Sequence, residues 1–471
     1  MKFRDNIKKY RSLIFPVIAL FLINGCSESE SQTADDPWLK AEQIKAQIVV
    51  PEFPDTTFNI VDFGAEEGGE IKNTDAFRKA IAAASEAGGG TVLVPNGTFL
   101  TGAIHLQSNV NLHLEDDATI LFSQDPDDYL PVVFTRWEGM ELMNYSSFIY
   151  ANGKENIAIT GNGTLDGNAS NEHWWPWKGN VEDGWEEGQP NQFAGRDSLH
   201  VLNAEQVPPE ERVFGDGFYL RPNFIQFYNS KNILISGVTL LRSPMWNVHP
   251  VLSENITVDG IHIETLGPNN DGVNPESSKN VLITNSYFDT GDDCIAIKSG
   301  RNQDGRRIAV PSENIVIENS VMKEGHGGIV MGSEISGGVR NVFARNIQMD
   351  SPNLDRVLRI KTSSRRGGIT ENIYLKDIEV GQYKEAAIRA NMFYEPPGDY
   401  MPTIRNIVVE NLTVKQGGKY GILIEAYEES PVTGLKVINS SIEGVEIPME
   451  VNHARDMEFE NFQINGQKIT P

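Results

Sequence analysis

One short phrase recurs along this chain: a charged residue, an asparagine, an aliphatic, any residue and a second aliphatic. It stands at Glu155-Asn156-Ile157, Lys231-Asn232-Ile233, Glu254-Asn255-Ile256 and Lys279-Asn280-Val281. It returns at Glu313-Asn314-Ile315, Arg340-Asn341-Val342, Glu371-Asn372-Ile373 and Arg405-Asn406-Ile407. From Asn232 onward the asparagines step by 23, 25, 34, 27, 31 and 34 residues. Each phrase opens a period-2 strand, such as Ile233-x-Ile235, that meets Gly or Asn soon afterwards. The step is too short for βαβ units, and the intervening sequence lacks helical periodicity. The fold class that follows is all-β: a single right-handed parallel β-helix whose coils bury their aliphatics against one another. Stacked strands lie about 4.7–4.9 Å apart, so asparagines at equivalent turns can hydrogen-bond along the stack. Their role is read as structural.

An open-ended coil needs a cover. Residues 75–87 form the one good amphipathic helix, with Asn73 or Thr74 as N-cap and Gly88-Gly89-Gly90 closing it. It is expected to cap the N-terminal end of a coil running from about residue 56 to 471. Two stretches break the period: a long insert at 168–222 holding Trp174, Trp175, Trp177 and Trp185, and a loop at 298–312 with Arg301, Arg306 and Arg307.

The N-terminus reads differently. Lys2, Arg4, Lys8, Lys9 and Arg11 precede the apolar run Ser12–Ile23, which is too short to span a bilayer and ends at Gly25-Cys26. Residues 1–25 are therefore expected to be a signal peptide of the lipoprotein type, with Cys26 the lipidated residue and an ordinary signal peptide as the alternative. Residues 26–55 are read as an acidic tether and lead-in. The localisation that follows is export across the inner membrane and lipid anchoring at a bacterial cell envelope. Membrane contact is expected only through that lipid. With 65 Asp+Glu against 40 Lys+Arg, the formal charge of −25 argues against a nucleic-acid partner. Two cysteines, Cys26 and Cys294, leave no disulfide framework or zinc cluster, and Cys294 reads as a buried thiol. No metal or cofactor is expected, and the chain is expected to act as a monomer.

Among so many acids, spacing singles out three. Asp271 follows Asn269-Asn270, and Asp292 and Asp293 follow Gly291, 21 residues or about one coil later. Adjacent strand residues face opposite sides, so Asp292 and Asp293 share a face only at a turn or bulge. Crowded carboxyls cannot all ionise easily, and a protonated acid beside ionised partners suits glycosidic cleavage. His326, in Gly325-His326-Gly327, lies 33 residues past Asp293; Arg359 lies 33 past His326, and Tyr394 lies 33 past Lys361. Equal steps are expected to bring all of these onto successive coils beside the carboxylates. Arg356, Arg359, Lys361, Arg365 and Arg366 form one basic cluster, and Lys298, Arg301, Arg306 and Arg307 another. Such strips on an acidic chain suggest an anionic ligand.

These residues resemble the signatures of glycoside hydrolase family 28, the polygalacturonases. The family's Asn-Thr-Asp, Gly-Asp-Asp, Gly-His-Gly and Arg-Ile-Lys motifs, followed by a tyrosine, match Asn269-Asn270-Asp271, Gly291-Asp292-Asp293, Gly325-His326-Gly327, Arg359-Ile360-Lys361 and Tyr394. The departure is Asn270 in place of threonine. Val61-Asp62-Phe63-Gly64-Ala65 resembles the family's N-terminal cap, and Ser243-Pro244-Met245-Trp246 and Ser299-Gly300-Arg301-Asn302 resemble its bacterial exo-acting branch. The resemblance implies metal-free, inverting hydrolysis of α-1,4-linked galacturonate in pectic polysaccharide or oligogalacturonide. It implies Asp292 as general acid, Asp271 and Asp293 as holders of the water, and His326 as a tuner of the acid. It implies Arg359, Lys361 and Tyr394 as substrate contacts, with Asn269 and Lys298 as further substrate-binding candidates.

The 168–222 insert is long enough to close one end of a cleft and favours exo action; its tryptophans are read first as packing and second as sugar platforms. Three alternatives are a hydrolase of rhamnogalacturonan or xylogalacturonan, a calcium-dependent β-helical pectate lyase, and a non-catalytic glycan-binding β-helix.

Overall fold

The computed structural model describes residues 36–470. The signal peptide and Cys26 fall outside the described residues. Strands from Thr57–Asn59 to Glu458–Ile464 wind as a right-handed parallel coil with a long sheet and a short one. The short sheet runs through 104–105, 149–152, 225–228 and 248–251. Single bridges at Val273 and Glu276 carry it on to 295–297, 329–332, 356–361, 386–391, 420–425 and 447–452.

The repeated phrase explains the stacking. Ile157, Ile233, Ile256, Val281, Ile315 and Val342 pair in register on successive coils and are fully buried. The register skips each asparagine, which takes a left-handed conformation (φ 54–59° from Asn156 to Asn406). Asparagine tolerates that region, and its amide both donates and accepts. Asn314 Nδ2 donates to Asn280 Oδ1 at 3.1 Å and Asn341 Nδ2 to Asn314 Oδ1 at 3.1 Å, within a ladder from Asn109 to Asn406. The preceding charges stack too, as in Lys231–Glu155 and Arg340–Glu313.

Among the described residues, four α-helices decorate the coil. Helix α1, Pro37–Gln47, lies within the segment 26–55 read as acidic tether and lead-in. It docks Ala41 and Ile44 against Val316 and Phe343 on the outer face of the long sheet. The helix falls in the lead-in part of that segment, where apolar residues at period 3.6, at 41 and 44, meet a partner surface. Helix α2, Thr74–Glu86, buries Phe77, Ala80, Ile81 and Ala84 in the core beside the first coils. Asn73 occupies its N-cap position but spends its amide on Glu66 and Ile71, closing the preceding loop. The insert contains helix α3, Phe193–Ala204, and the 298–312 stretch is helical as α4, Asn302–Ile308, where a loop was expected.

A second small core of Trp137, Met140, Leu199, Phe214, Leu220 and Trp246 joins the insert to the hairpin Val133–Trp137/Met140–Asn144. Three insert tryptophans are packing residues. Trp174 enters the main core, Trp177 meets Tyr219, and Trp175 Nε1 donates to Ser243 O at 2.9 Å.

Candidate active site

The carboxylates occupy turns leading into the short sheet. Gly291 makes their approach possible: a Cβ there would stand 2.2 Å from Gly267 O on the preceding coil. Asp292 and Asp293 fall between strands Tyr287–Thr290 and Ile295–Ile297, so the alternation that separates neighbours in a strand does not apply. Gly272 N donates to Asp293 O at 3.0 Å and holds the Asp271 turn against the next coil. Asn270, the departure from the family motif, is buried. It accepts from Gly267 N (2.9 Å) and donates to Ser243 O (3.1 Å) and Met245 O (3.0 Å), stapling the Asp271 turn to its neighbour.

The expected residues converge, although not through equal steps. The ladder pairs Ile295 with Ile329, which sets His326 over Asp292; His326 N donates to Asp292 O at 3.1 Å. The imidazole Nδ1 lies 3.0 Å from Asp292 Oδ1. Arg359 stacks on Val330 and Lys361 on Gly332, so neither continues the His326 position. Both reach Asp293 because their side chains leave the same outer face of strand Arg356–Lys361. Arg359 Nη1 is 3.1 Å from Asp293 Oδ1 and Lys361 Nζ 2.6 Å from Oδ2. Gly332 leaves room between Lys298 and Lys361; a Cβ there would meet Lys361 O at 2.1 Å, and φ is +115°. Tyr394 lies beyond strand Ala386–Asn391, with its ring centroid 5.4 Å from Lys361 Nζ and 5.7 Å from Arg359 Cζ.

Lys298, expected as a substrate-binding candidate, sits in the carboxylate cluster itself. Its ammonium contacts Asp271 Oδ2 and Glu334 Oε2 at 3.3 Å each, and lies 4.4 Å above the Trp246 ring. Asn269, left-handed at φ 56°, accepts at Oδ1 from Lys178 Nζ (2.7 Å) and Arg221 Nη2 (2.8 Å). Its Nδ2 faces Asp292 Oδ2 at 3.5 Å. Sequence spacing missed Lys178, Arg221 and Glu334. The available signal was faint: Lys178 is the sole lysine of an acid-rich insert.

The two basic clusters are corrected. Carboxylates, some adjacent in sequence and the rest from other coils, neutralise most of them. Arg301 binds Glu138 (2.9 Å) and Glu395 (2.8 Å), and Arg366 binds Glu395 (2.5 Å). Arg307 binds Glu141 and Asp304, and Arg356 binds Asp355 and Glu385. A linear reading cannot see partners supplied by other coils.

The three carboxyls differ in environment. Side-chain exposure is 3% for Asp271, 16% for Asp292 and 0% for Asp293, whereas His326 is 53% exposed. Burial pushes Asp271 up to about 7 despite Lys298, with Asp292 and Asp293 adding repulsion. Burial also acts on Asp292, but the hydrogen bond and charge of His326, with Lys361 and Arg359 behind them, hold it well below the usual carboxylate range. The hydrogen bond to Asp292 in turn raises His326. Burial pushes the Cys294 thiol up to about 12, as suits a buried, unreactive sulfur.

The outer face of the short sheet is covered on one side of this cluster. Gln226, His249 and Glu276 point outward yet are 0% exposed. The hairpin lies over them: Gln226 Nε2 donates to Arg136 O at 3.0 Å, and Arg136 Nη1 lies 3.2 Å from Glu276 Oε1. Beyond Lys361 the face is less covered, and Tyr394 is 42% exposed. The carboxylates thus lie in a groove that is open beyond Lys361 and roofed on the side of the hairpin and the insert.

Comparisons with known proteins agree with this geometry. The profile for Glycosyl hydrolases family 28 matches residues 217–456, and one for Rhamnogalacturonase A/epimerase, pectate lyase-like, matches residues 57–113. A chain from Vitis vinifera named "Probable polygalacturonase" is 32% identical across 82% of this chain and 74% of its own length. The Dickeya chrysanthemi exo-poly-alpha-D-galacturonosidase is 27% identical across 87% of this chain and 71% of its own. The crystal structure of a hyperthermoactive exopolygalacturonase from Thermotoga maritima superposes with a TM-score of 0.89. It is 47% identical and covers 92% of this chain and 97% of that one. A coil of this kind, a carboxylate trio faced by histidine and two cations, and a matching profile over half its length make the chain a glycosidase that belongs to glycosyl hydrolases family 28.

Proposed function

We propose that this protein hydrolyses α-1,4-galacturonosidic bonds of polygalacturonate from a chain end, with inversion. The observation that carries exo action is the covered patch of Gln226, His249 and Glu276, where the hairpin roofs the groove beside the reacting centre. A polymer entering from the open side can seat only a terminal segment past the carboxylates. The exo-acting names of the Thermotoga maritima and Dickeya chrysanthemi relatives support the same reading.

In this proposal Asp292, the most accessible of the three, protonates the leaving oxygen, while Asp271 and Asp293 hold and deprotonate the attacking water. The contacts with His326, Lys361 and Arg359 favour the ionised form of Asp292, so its role as acid requires that bound substrate raise its proton affinity. A galacturonate carboxylate drawn to Arg359 and Lys361 cancels two of the cations that depress Asp292 and thereby raises its proton affinity. His326, hydrogen-bonded to Asp292 Oδ1, is placed to return a proton between turnovers. Tyr394 covers the two cations and offers a ring edge or face to the sugar. A calcium-bridged lyase reading fits these residues less well, because Asp293 gives both oxygens to Arg359 and Lys361 and Asp271 faces Lys298.

A time course on polygalacturonate, with products resolved by mass, tests the reading. Mono- or digalacturonate from the earliest points is expected. An early ladder of mid-sized oligomers would overturn exo action, and unsaturated products absorbing in the ultraviolet would overturn hydrolysis. Cys26 is further proposed to carry the lipid that holds the enzyme at the cell envelope. Cys26→Ser is expected to move activity from the membrane to the soluble fraction; unchanged membrane retention would refute the anchor.

A further inference from the structure

The closed end of the groove contains two cations that the proposed chemistry does not use. Lys178 ends the 3-10 turn Trp175–Lys178 of the insert, and Arg221 lies at the insert's far end. Arg221 is completely buried and spoken for: it donates to Pro244 O (2.9 Å), Pro268 O (2.7 Å), Gln192 Oε1 (3.2 Å) and Asn269 Oδ1 (2.8 Å). Lys178 is different. Among the described residues its ammonium makes one hydrogen bond, to Asn269 Oδ1 at 2.7 Å, and no ion pair.

An ammonium has three donors and is strongly hydrated, so half-burying it with one neutral acceptor is unfavourable without an anion. Burial and the nearby Arg221 press against its charged form, and Glu138, Asp292 and Asp183 favour it only from beyond ion-pair distance. The other lysines of this site have carboxylates: Lys298 has Asp271 and Glu334, and Lys361 has Asp293. Lys178 also has a defined relation to the chemistry. The same Asn269 amide that accepts from Lys178 faces Asp292 through its Nδ2, so one rigid side chain spans ammonium and proposed acid. Lys178 thus stands on the insert side of the carboxylates, away from Arg359 and Lys361.

We infer that Lys178 is a specificity residue that binds the carboxylate of a galacturonate in the closed end of the groove. This rests on the exo-polygalacturonase reading and extends it: acidic recognition occurs on both sides of the scissile bond, by Arg359 and Lys361 on one side and by an insert-borne lysine on the other. The insert is then more than a wall. It selects for a uronate where a merely steric stop would admit a neutral sugar.

A set of three trigalacturonates, each methyl-esterified on one sugar, tests this against the unesterified parent. In wild type, the ester on the sugar facing Lys178 is expected to lower kcat/KM by about tenfold or more, the worth of a charge-assisted hydrogen bond. In Lys178→Met that same ester is expected to cost nothing further, while esters elsewhere keep their wild-type penalties. Lys178→Arg is expected to restore part of the discrimination, which a lysine that merely props Asn269 would not produce. If all three esters keep their wild-type penalties in Lys178→Met, the inference is wrong. If wild type cleaves none of the compounds, the hydrolase reading has failed instead. Calorimetric affinities for the same four compounds then decide whether Lys178 recognises the carboxylate.

Discussion

The outer face of the short sheet presents two regions built on one coil. At 225–228, 248–251 and 273–276 it is roofed by the hairpin and the insert, and its polar residues form a closed network. Arg136 joins Glu276 and Glu141, His249 Nε2 lies 2.7 Å from Glu276, and Tyr228 donates to Glu141. From 329–332 to 420–425 the same face has no such roof, and its charges look onto the groove. Both regions share the ladder and the asparagine stack. What covers the sheet decides whether a charge there serves the fold or a ligand. The boundary falls at Asp271, Asp292 and Asp293.

The largest effects are expected at that boundary. Asp292→Asn and Asp271→Asn are each expected to lower kcat by about 10²–10⁴-fold while leaving the thermal melting curve in place. Near-normal turnover in either variant would remove that residue from the chemistry. Next comes the roofed region. Arg136→Met strands Glu276 as a buried charge and is expected to destabilise the fold by about 3–5 kcal/mol, read from the denaturant midpoint. The matching change beyond Lys361, Arg389→Met, breaks a pair in which the arginine is buried and the Glu425 carboxylate is 38% exposed. It is expected to cost less than Arg136→Met, because the freed Glu425 carboxylate stays hydrated. Equal losses at the two positions would erase the contrast between roofed and open faces.

A smaller effect is expected on pH dependence. Lys298 lowers the proton affinity of Asp271, whose carboxyl is already pushed up to about 7 by burial. Removing the cation in Lys298→Met raises Asp271 further, so it stays protonated to higher pH. If Asp271 must be ionised to take a proton from water, the acidic limb of kcat/KM moves up by about one unit. A limb that stays in place would assign the water to Asp293 alone.

Much of the candidate site was legible because it is carried by turns of a repeating coil. Asp271, Asp292, Asp293, His326, Arg359, Lys361 and Tyr394 were all singled out by motif and spacing, and all converge. The reason given by equal 33-residue steps was nonetheless wrong for Arg359, which stacks on Val330. Coil lengths vary at the turns, and only backbone pairing sets the register. Lys178 and Arg221 were passed over because they sit in an insert with no period to align them. The basic clusters were overread for the opposite reason: Glu138, Glu334 and Glu395, which pair with Arg301, are far from it in sequence.

The sequence by itself determined the coil. Aliphatics at period 2 and an asparagine suited to a left-handed turn are local properties, and their repetition leaves few other ways to bury the apolar face. Which face of the coil meets substrate, which charges remain available there and where the groove ends were decided only by the tertiary structure. Those outcomes depend on contacts between segments more than a hundred residues apart, such as Arg136 with Glu276. No local pattern encodes them, because neither partner carries a mark of the other.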